Sequence, residues 1–296
     1  MPECLLGVGS NLGHRQQILD SAVARLRRHV HVVASSHWRC YPAVAGPPEQ
    51  QDFLNGALLI ETAQTPWQLA ELLHELEAAA GRQRTDRWAS RTLDCDLLLF
   101  GSEQIVSESL TVPHPRMMTR RFVLEPSVEI APELVHPSLG WTIRRLYDHL
   151  SAPPYFAVIG PDEAYCLELA QEIARNSHGT IVSLTQLGQS PSSSSGTPLE
   201  FAEAAQELLR RAMRESQFPA TPVISTFCHG YGNLQIPGVG REPPPQPKLL
   251  IVTAPMESDF GRLVAGQSHM RVPTVHVSSD RDHAKQDAVG AVLAMK

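Results

Sequence analysis

Two aspartates, Asp94 and Asp96, stand one residue apart in the apolar segment TLDCDLLLF. Side chains alternate along a β-strand, so both carboxylates project from one face, while Cys95 and Leu97 project from the other. Two such carboxylates repel each other and lose hydration in an apolar strand, so they need a cation beside them. Mg²⁺ prefers oxygen ligands, commonly takes one or two carboxylates and completes its shell with water and phosphate oxygens. The pair therefore indicates a magnesium site. The alternative is that both acids lie at an exposed strand end or pair with nearby arginines.

An arginine-rich loop comes directly before this strand. Its four arginines lie within ten residues: Arg82, Arg84, Arg87 and Arg91. Guanidinium groups stay charged and match phosphate oxygens, so the loop suits a polyphosphate that also chelates the metal. The loop also carries Trp88, whose indole could close over a flat ring and exclude water. A solvated charged loop is the alternative if these arginines are considered without the neighbouring carboxylates.

The elements that must position these residues follow from the hydrophobic pattern of residues 1–150. CLLGVGS predicts a strand that ends in a Gly-Ser-Asn turn, and apolar residues then recur at helical spacing. The strands VHVVASSHWR and FLNGALLIET precede a helix that begins at Pro66 behind Thr65 and ends before Gly81. TLDCDLLLF is too apolar for an exposed edge and is predicted to be a central strand. The order β-α-β-β-α-β predicts a ferredoxin-like α+β domain, with helices on an antiparallel sheet.

The order of elements changes near residue 151, where SAPPYFAVIG begins a new strand. We therefore predict two domains, residues 1–150 and 151–296. In the second, strand segments alternate with helical segments, which predicts a three-layer α/β domain with a mostly parallel sheet. A serine-rich stretch, GQSPSSSSGTP, and a proline-rich stretch, REPPPQPK, interrupt this domain.

Composition restricts the class of protein. The chain has 296 residues, 42% of them hydrophobic and 19% charged, with a net charge of -6, as is typical of soluble globular proteins without a nucleic-acid partner. Its apolar runs are far shorter than the roughly 20 residues that cross a bilayer. The N-terminus has no basic stretch followed by a long apolar one, so we expect no secretory signal, no membrane partner and a cytoplasmic location. The five cysteines lack metal-type spacing and are expected to be reduced, mostly buried thiols.

Four motifs in residues 3–150 resemble 6-hydroxymethyl-7,8-dihydropterin pyrophosphokinase. They are GVGSNLG at 7–13, PEQQDFLNGAL at 48–58, residues 82–97 and LTVPHPRMMTRRFVLEP at 110–126, in the expected order. The resemblance implies an enzyme of folate biosynthesis that uses ATP as co-substrate: the pterin hydroxymethyl oxygen attacks the β-phosphorus of ATP, and AMP leaves. It also implies two Mg²⁺ ions, held by Asp94 and Asp96, that bridge the triphosphate.

The resemblance further implies which residues meet ATP. The set is Arg82, Arg84, Arg91, Leu97, Thr111, His114 and Arg120. Arg82 and Arg91 would contact phosphates, and Arg120 would add charge from the next segment. Arg84 would belong, with Trp88, to a mobile loop that closes on the substrate. Leu97 and Thr111 would lie near the adenine. Arg82 and Arg91 would act in catalysis with the two aspartates, and Asp96 could also help to deprotonate the alcohol. His114 could instead be a hydrogen-bonded structural histidine in a turn framed by prolines.

For the pterin, a flat heterocycle with polar edges, the site should offer aromatic faces and amide groups. The resemblance implies contacts from Pro42, Phe53, Asn55, Trp88 and Phe122. Phe53 and Phe122 would stack on the ring and Asn55 would read its edge, although either phenylalanine alone would more often be a core residue. Gly9, Ser10 and Asn11 would form a tight turn that lets the backbone approach the substrate.

Two features differ from the family pattern or are ambiguous in it. Residues 40–46 stand where the family has a Thr-x-Pro-Val-Gly type of sequence, so Cys40 lacks the hydroxyl of the threonine, and the loop is longer. Glu77 aligns with a family position near the substrates, but it could equally be an exposed helix residue facing Gly81.

The second half faintly resembles a P-loop nucleoside kinase, in FAVIGPDEAYCLELAQEIA. A working loop needs glycines and Gly-Lys-Ser/Thr to hold phosphates, but Tyr165, Cys166 and Leu167 stand there instead, so we expect no phosphate transfer. This half is either a structural or dimerising appendage or a regulatory ligand-binding module. The sequence does not determine the oligomeric state.

Two other functions are the alternatives to an enzyme. An inactive regulatory or nucleotide- or pterin-binding module has no need to retain the paired aspartates together with Arg82, Arg91 and His114. RNA binding would need an aromatic strand motif and a basic face, whereas the fourth predicted strand carries two aspartates. We therefore favour the enzyme.

Overall fold

The computed structural model describes residues 1–44, 49–81, 90–183, 198–215, 221–227, 246–254, 258–260, 264, 272–278 and 280–295. The chain divides into two compact units, Met1–Leu150 and Ser151–Ala294. No helix in the described ranges is both long enough and apolar enough to cross a bilayer. The predicted mixture of an antiparallel and a parallel sheet is confirmed.

The first unit begins with the elements that build its main sheet. They are β1 (Glu3–Ser10), α1 (Arg15–Leu26), β2 (His31–Ser35), β3 (Arg39–Tyr41), β4 (Phe53–Glu61), α2 (Pro66–Ala79) and β5 (Asp94–Phe100). Smaller elements follow: β6 (Ile105–Val106), β7 (Thr111–Val112), a 3-10 turn (Met117–Thr119), α3 (Arg121–Ile130), β8 (Val135–His136), β9 (Trp141–Thr142) and α4 (Ile143–His149). The main sheet has the order β2-β4-β1-β5, with β3 also paired to β4, and every pairing is antiparallel.

The helices α1 and α2 cover one face of this sheet. Their leucines pack against Leu6, Val8, Cys95 and Leu97 in one buried cluster. α2 begins as predicted, because Thr65 Oγ1 accepts a hydrogen bond of 3.3 Å from Gln68 N while Gln68 Oε1 accepts one of 2.9 Å from Thr65 N.

The prediction that TLDCDLLLF is a central strand is wrong. In the described sheet β5 is an edge strand, paired with β1 alone. Its outer edge is shielded by the chain that follows it, since His114 N donates a hydrogen bond of 2.9 Å to Leu98 O. An apolar edge strand is stable here because a later segment covers it, which the pattern of the strand itself does not reveal.

The predicted strand VHVVASSHWR is interrupted between Ser35 and Arg39. Ser36 Oγ accepts a hydrogen bond of 2.9 Å from Ala57 N, so a side chain takes the place of a ladder carbonyl. Trp38 lies over Gly56, where an added Cβ would fall 2.4 Å from the indole ring. The break creates β3, which pairs with the first residues of β4.

The second unit contains β10 (Tyr155–Ile159), α5 (Glu163–Ser177), β11 (Thr180–Val182), α6 (Pro198–Glu215), β12 (Val223–Ser225), β13 (Leu249–Val252), β14 (Thr274–His276) and α7 (Arg281–Leu293). Its sheet has the order β11-β12-β10-β13-β14, and every pairing is parallel, as predicted. Tyr155, Ala157 and Ile159 share a buried cluster with residues of α6. α5 packs on β10 and on α7.

Candidate functional site

A row of polar positions crosses the sheet on the face opposite α1 and α2. The strand register pairs Asp94 with Gly9, Gly9 with Asn55, and Asn55 with Arg39. Residues directly opposite in an antiparallel pair project from the same face, so the side chains of Asp94, Asn55 and Arg39 share it. Asp96, two residues along β5, is on this face too. The alternation of the strands therefore gathers these groups although they are far apart in sequence.

Gly9 provides the space in the middle of this row. An added Cβ at Gly9 would fall 2.1 Å from Asn55 Oδ1, so the Asn55 amide lies over the position that any larger residue would fill. Asn55 is 8% exposed, so its amide group is enclosed by the surrounding chain. The absence of a side chain at Gly9 thus allows the amide to lie between the strand of the aspartates and β3.

Each of the two aspartates has an arginine beside it. Arg91 Nη1 lies 2.5 Å from Asp94 Oδ1, and Arg120 Nη1 lies 3.4 Å from Asp96 Oδ2. The aspartate side chains remain 23% and 30% exposed, respectively. Burial lowers the pKa of the Arg91 guanidinium, but the charge and hydrogen bond of Asp94 outweigh it, so this pKa lies above its usual range. The arrangement is a pair of accessible carboxylates between two cations.

The donor set of this site suits a metal that takes few protein ligands. Among the described residues, no three or more histidines, cysteines, aspartates or glutamates form a group that could hold a metal ion. Asp94 and Asp96 could contribute two carboxylate ligands, and the remaining positions would be left to water and phosphate oxygens. Mg²⁺ has this preference, whereas structural zinc sites use four protein ligands.

His114 points its ring at the second aspartate. His114 Nδ1 accepts a hydrogen bond of 3.1 Å from Arg116 N, so the neutral ring carries its hydrogen on Nε2. His114 Nε2 lies 3.8 Å from Asp96 Oδ2. Burial, with the charges of Arg120 and Arg116, holds the pKa of His114 well below its ordinary value. The ring is therefore a neutral donor directed towards the carboxylates.

Asn11 holds the start of the aspartate strand. The Asn11 side chain is fully buried, and its Oδ1 accepts a hydrogen bond of 2.6 Å from Arg91 N. The Asn11 backbone N donates in turn to Arg91 O at 3.0 Å. Asn11 Nδ2 donates at 3.3 Å to Ser90 Oγ and to Gln51 O. One amide thus joins the turn after β1, the segment before β4 and the end of the arginine-rich loop, a role that the sequence pattern does not disclose.

Three aromatic rings lie at the β3 end of the row. Tyr41 stands opposite Phe53 in the register of β3 and β4, and its ring centroid is 6.3 Å from that of Phe122. Arg120 Cζ lies 5.4 Å from the Phe122 ring centroid. The arginine beside Asp96 therefore also contacts one of the predicted stacking residues. Tyr41 was not among the predicted contacts.

Several predicted positions are placed differently or lie outside the described residues. Arg82, Arg84 and Trp88 lie outside them. Leu97 is 7% exposed and packs with α1 and α2, so its side chain is on the opposite face from the aspartates. Thr111 lies on β7 beside β5, and Pro42 is exposed after Tyr41. Among the described positions, Arg91, His114 and Arg120 therefore lie beside the aspartates, whereas the Leu97 side chain does not.

Comparison with known proteins gives consistent matches for the first unit. A sequence model of the family 7,8-dihydro-6-hydroxymethylpterin-pyrophosphokinase (HPPK) matches residues 5–132. The 2-amino-4-hydroxy-6-hydroxymethyldihydropteridine pyrophosphokinase of Bacillus subtilis is 42% identical over 130 residues, which cover 44% of this chain and 78% of that protein. The enzyme of the same name from Haemophilus influenzae is 40% identical over 150 residues, 49% of this chain and 92% of that protein.

A solved structure of Plasmodium falciparum HPPK-DHPS, wild type with SDX-DHP, aligns with 99% of this chain and 77% of that chain. The TM-score is 0.37 and the sequence identity is 10%. A likeness at this score carries no conclusion about fold or function.

Proposed function

The chain belongs to the 7,8-dihydro-6-hydroxymethylpterin-pyrophosphokinase family, and from this premise we propose that Asp94 and Asp96 are its magnesium ligands. As a member of the family, it transfers diphosphate from ATP to 6-hydroxymethyl-7,8-dihydropterin, a step of folate biosynthesis that releases AMP. One observation carries the assignment of the site: two partly exposed carboxylates share a strand face, each beside an arginine.

The transfer needs neutralisation of the charge on the phosphates more than it needs covalent catalysis by the protein. Magnesium ions, two by analogy with the family, would neutralise the triphosphate and orient it for in-line attack. Asp94 and Asp96 would hold them from one side, leaving the remaining ligand positions to water and phosphate. When the triphosphate binds, Arg91 and Arg120 would give up some of their contacts with the carboxylates and bind phosphate oxygens instead. The geometry of a guanidinium group matches that of phosphate oxygens.

His114 is suited to a phosphate contact that does not depend on its charge. Its neutral ring offers the Nε2 hydrogen towards the space beside Asp96, 3.8 Å from the carboxylate. A phosphate oxygen that occupies this space would accept that hydrogen. The arginine-rich loop would add Arg82 to the phosphates and Arg84 to the contacts with ATP, as the resemblance implies. Thr111 and the backbone of Leu97 would lie near the adenine.

At the other end of the row, the pterin would lie between Phe53 and Phe122, and the Asn55 amide would form hydrogen bonds with the polar edge of the ring. Pro42 and Trp88 would complete its surroundings. Gly9 supports this arrangement, since the space above it is taken by the Asn55 amide. The hydroxymethyl oxygen would then point along the row towards the aspartates, where Asp96 could accept its proton.

We further propose that the first unit has the ferredoxin-like layout. If β2 and β3 are counted as one interrupted strand, the main sheet has the order fourth-first-third-second with antiparallel neighbours. The ferredoxin-like layout also has two helices on one face of its sheet, where α1 and α2 lie in this unit. On this layout the end of the first strand is adjacent to the start of the fourth, which places Gly9 beside Asp94.

For the second unit we propose an α/β fold of the P-loop kinase type without phosphate transfer. The turn between β10 and α5 is filled by the chain itself: an added Cβ at Gly160 would fall 1.7 Å from Thr253 Oγ1 and 3.2 Å from Cys166 Sγ. Asp162 caps α5, accepting a hydrogen bond of 3.0 Å from Tyr165 N, so a carboxylate stands where a phosphate would. Calorimetry of the full chain with a non-hydrolysable ATP analogue and Mg²⁺ should give one site per chain. A second site would contradict this proposal.

The activity is tested by following ATP, AMP and ADP with the purified chain, Mg²⁺ and 6-hydroxymethyl-7,8-dihydropterin. We expect AMP to form only when the pterin is present, in equal amount to the pterin diphosphate. ADP formation, or no turnover in the intact chain, would favour an inactive binding module instead.

A further inference from the structure

A ladder of ion pairs and hydrogen bonds joins the β3 segment to α3. His37, Arg39 and Tyr41 alternate along the chain and so point to one side, while Glu125 and Glu129 are one helical turn apart on α3. Arg39 Nη1 lies 2.9 Å from Glu125 Oε1, and Arg39 Nη2 lies 3.0 Å from Glu129 Oε2. We call these five residues the β3–α3 ladder.

Each end of the ladder adds a hydrogen bond to one of the two glutamates that Arg39 bridges. Tyr41 Oη donates to Glu125 Oε2 at 3.3 Å, and His37 N donates to Glu129 Oε1 at 3.1 Å. The hydrogen bond with Glu129 is the largest of the effects that raise the pKa of Arg39, so the guanidinium stays charged. Because a guanidinium is planar and rigid, one arginine that bridges two carboxylates fixes both the position and the rotation of the helix.

The ladder ends at the aromatic rings of the candidate pterin site. Phe122 precedes Glu125 by three residues, so both lie on the same side of α3. The Tyr41 ring, whose hydroxyl is bonded to Glu125, contacts Phe122 with a centroid distance of 6.3 Å and stands opposite Phe53. The separation of Phe53 on β4 from Phe122 on α3 therefore depends on how β3 and α3 are joined.

We propose that the β3–α3 ladder sets the width of the pterin slot by holding Phe122 at a fixed distance from Phe53. This inference rests on the proposed function, in which the pterin lies between these two rings. Arg39 and Glu125 are then positioning residues for pterin binding, acting through Phe122. The ladder lies towards the solvent, with the Arg39 side chain 41% exposed, and surface ion pairs of this kind contribute little to folding stability.

The test compares Arg39→Met, Glu125→Ala and Tyr41→Phe with the wild type in steady-state kinetics. Arg39→Met keeps the aliphatic stem of the side chain, and Tyr41→Phe keeps the ring. We expect the KM for the pterin to rise about tenfold in the first two variants and less in Tyr41→Phe, while kcat and the KM for ATP change less than about twofold. In Arg39→Lys the ammonium group reaches only one carboxylate at a time, so the KM for the pterin should lie between those of the wild type and Arg39→Met.

The matched control is Glu133→Ala, which removes an exposed glutamate just beyond the end of α3. It should leave every kinetic constant and the Tm unchanged. A lower Tm in the ladder variants with an unchanged KM for the pterin would show a purely structural ladder and overturn the inference. An equal rise in the KM for ATP would also overturn it, because the effect would not be specific to the slot.

The outcomes for the wild type separate this inference from the proposed function. If the wild type forms no AMP with the pterin, the proposed function is wrong and the inference is wrong with it. If the wild type is active, only the variants decide the inference. Should Arg39→Met or Glu125→Ala fail to fold, Tyr41→Phe and pterin binding measured by fluorescence provide the same comparison.

Discussion

Glu77 Oε1 accepts a hydrogen bond of 2.9 Å from the backbone N of Cys95, the residue between Asp94 and Asp96. Glu77 is 4% exposed, so the alternative of an exposed helix residue facing Gly81 is wrong. The contact lies at the outer edge of β5, where no strand of the described sheet pairs. α2 thus holds β5 at Cys95. The carboxylates of Asp94 and Asp96 project from the face of β5 that is turned away from α2.

Removal of this contact should affect stability and turnover together. In Glu77→Ala the Cys95 N–H loses a buried acceptor, which costs about 1–3 kcal/mol. A shift of β5 by even part of an ångström moves both carboxylates, so kcat should fall about 10- to 100-fold. Urea denaturation and AMP formation measure the two effects. Glu77→Gln keeps an acceptor oxygen and should lose less of each.

Glu75→Ala is the control for this change, because Glu75 is exposed on the same helix. It should leave both stability and kcat close to the wild type. If Glu77→Ala is less stable but turns over normally, the contact supports the fold without positioning the aspartates.

Gly9 and Gly7 offer a matched pair on one strand face. An added Cβ at Gly9 would fall 2.1 Å from Asn55 Oδ1, whereas at Gly7 the nearest atom, Leu98 Cδ1, would be 3.5 Å away. Gly9→Ala should therefore displace the Asn55 amide and raise the KM for the pterin about tenfold or more. Gly7→Ala should change it little, because 3.5 Å is an ordinary contact. Equal effects of the two substitutions on this KM would contradict the role given to Asn55.

Asn11 should matter for ATP more than for the pterin. Asn11→Ala removes the acceptor of the Arg91 N–H and the donor to Gln51 O. We expect a loss of about 1–3 kcal/mol in the free energy of unfolding, from buried groups left unpaired. We also expect a higher KM for ATP, because Arg91 loses its anchor. Asn176→Ala, at an exposed position on α5, is the control. If the KM for ATP is unchanged in Asn11→Ala, Asn11 does not position Arg91.

A buried histidine should make the fold sensitive to mild acid. His136 is 3% exposed, neither ring nitrogen has a hydrogen-bond partner among the described residues, and burial lowers its pKa from 6.5 to about 4. As the pH falls from 6.5 towards 4, the unfolded chain binds a proton at this position that the folded chain does not. The free energy of unfolding should therefore fall by roughly 3 kcal/mol over this window through His136 alone.

His136→Leu should remove this part of the pH dependence, which urea denaturation at pH 7 and at several values down to 4 would reveal. His74→Gln, at an exposed position on α2, should not alter it. Parallel pH profiles for the wild type and His136→Leu would mean that the imidazole is accessible to protons in the folded chain.

The local parts of this structure are predictable from sequence because short-range rules determine them. Strand alternation separates Asp94 from Cys95, and the Thr65 cap with Pro66 starts α2 where predicted. The remaining features depend on contacts between distant segments. The break in the strand at Ser36 depends on the hydrogen bond from Ala57 N to Ser36 Oγ. The shielding of the edge strand β5 depends on the hydrogen bond from His114 N to Leu98 O.

The same reason explains which contacts of the site residues the sequence does not reveal. Glu77, Asn11 and Tyr41 act through partners that are 18, 80 and 84 residues away in sequence. No periodicity records such pairs, since they depend on how helices and strands are packed. The family motifs indicate the chemistry of the site, whereas the supporting contacts require the folded chain.

The central claim is that Asp94 and Asp96 hold the magnesium that makes the transfer possible. The most direct measurement is the rate of pterin-dependent AMP formation against Mg²⁺ concentration for the wild type, Asp94→Asn and Asp96→Asn, with Asp148→Asn at an exposed position as the control. We predict that each of the first two variants loses about 100-fold or more in kcat and needs more Mg²⁺ for half-maximal rate, while Asp148→Asn does neither. A wild-type kcat and an unchanged Mg²⁺ dependence in Asp94→Asn and Asp96→Asn would contradict the claim.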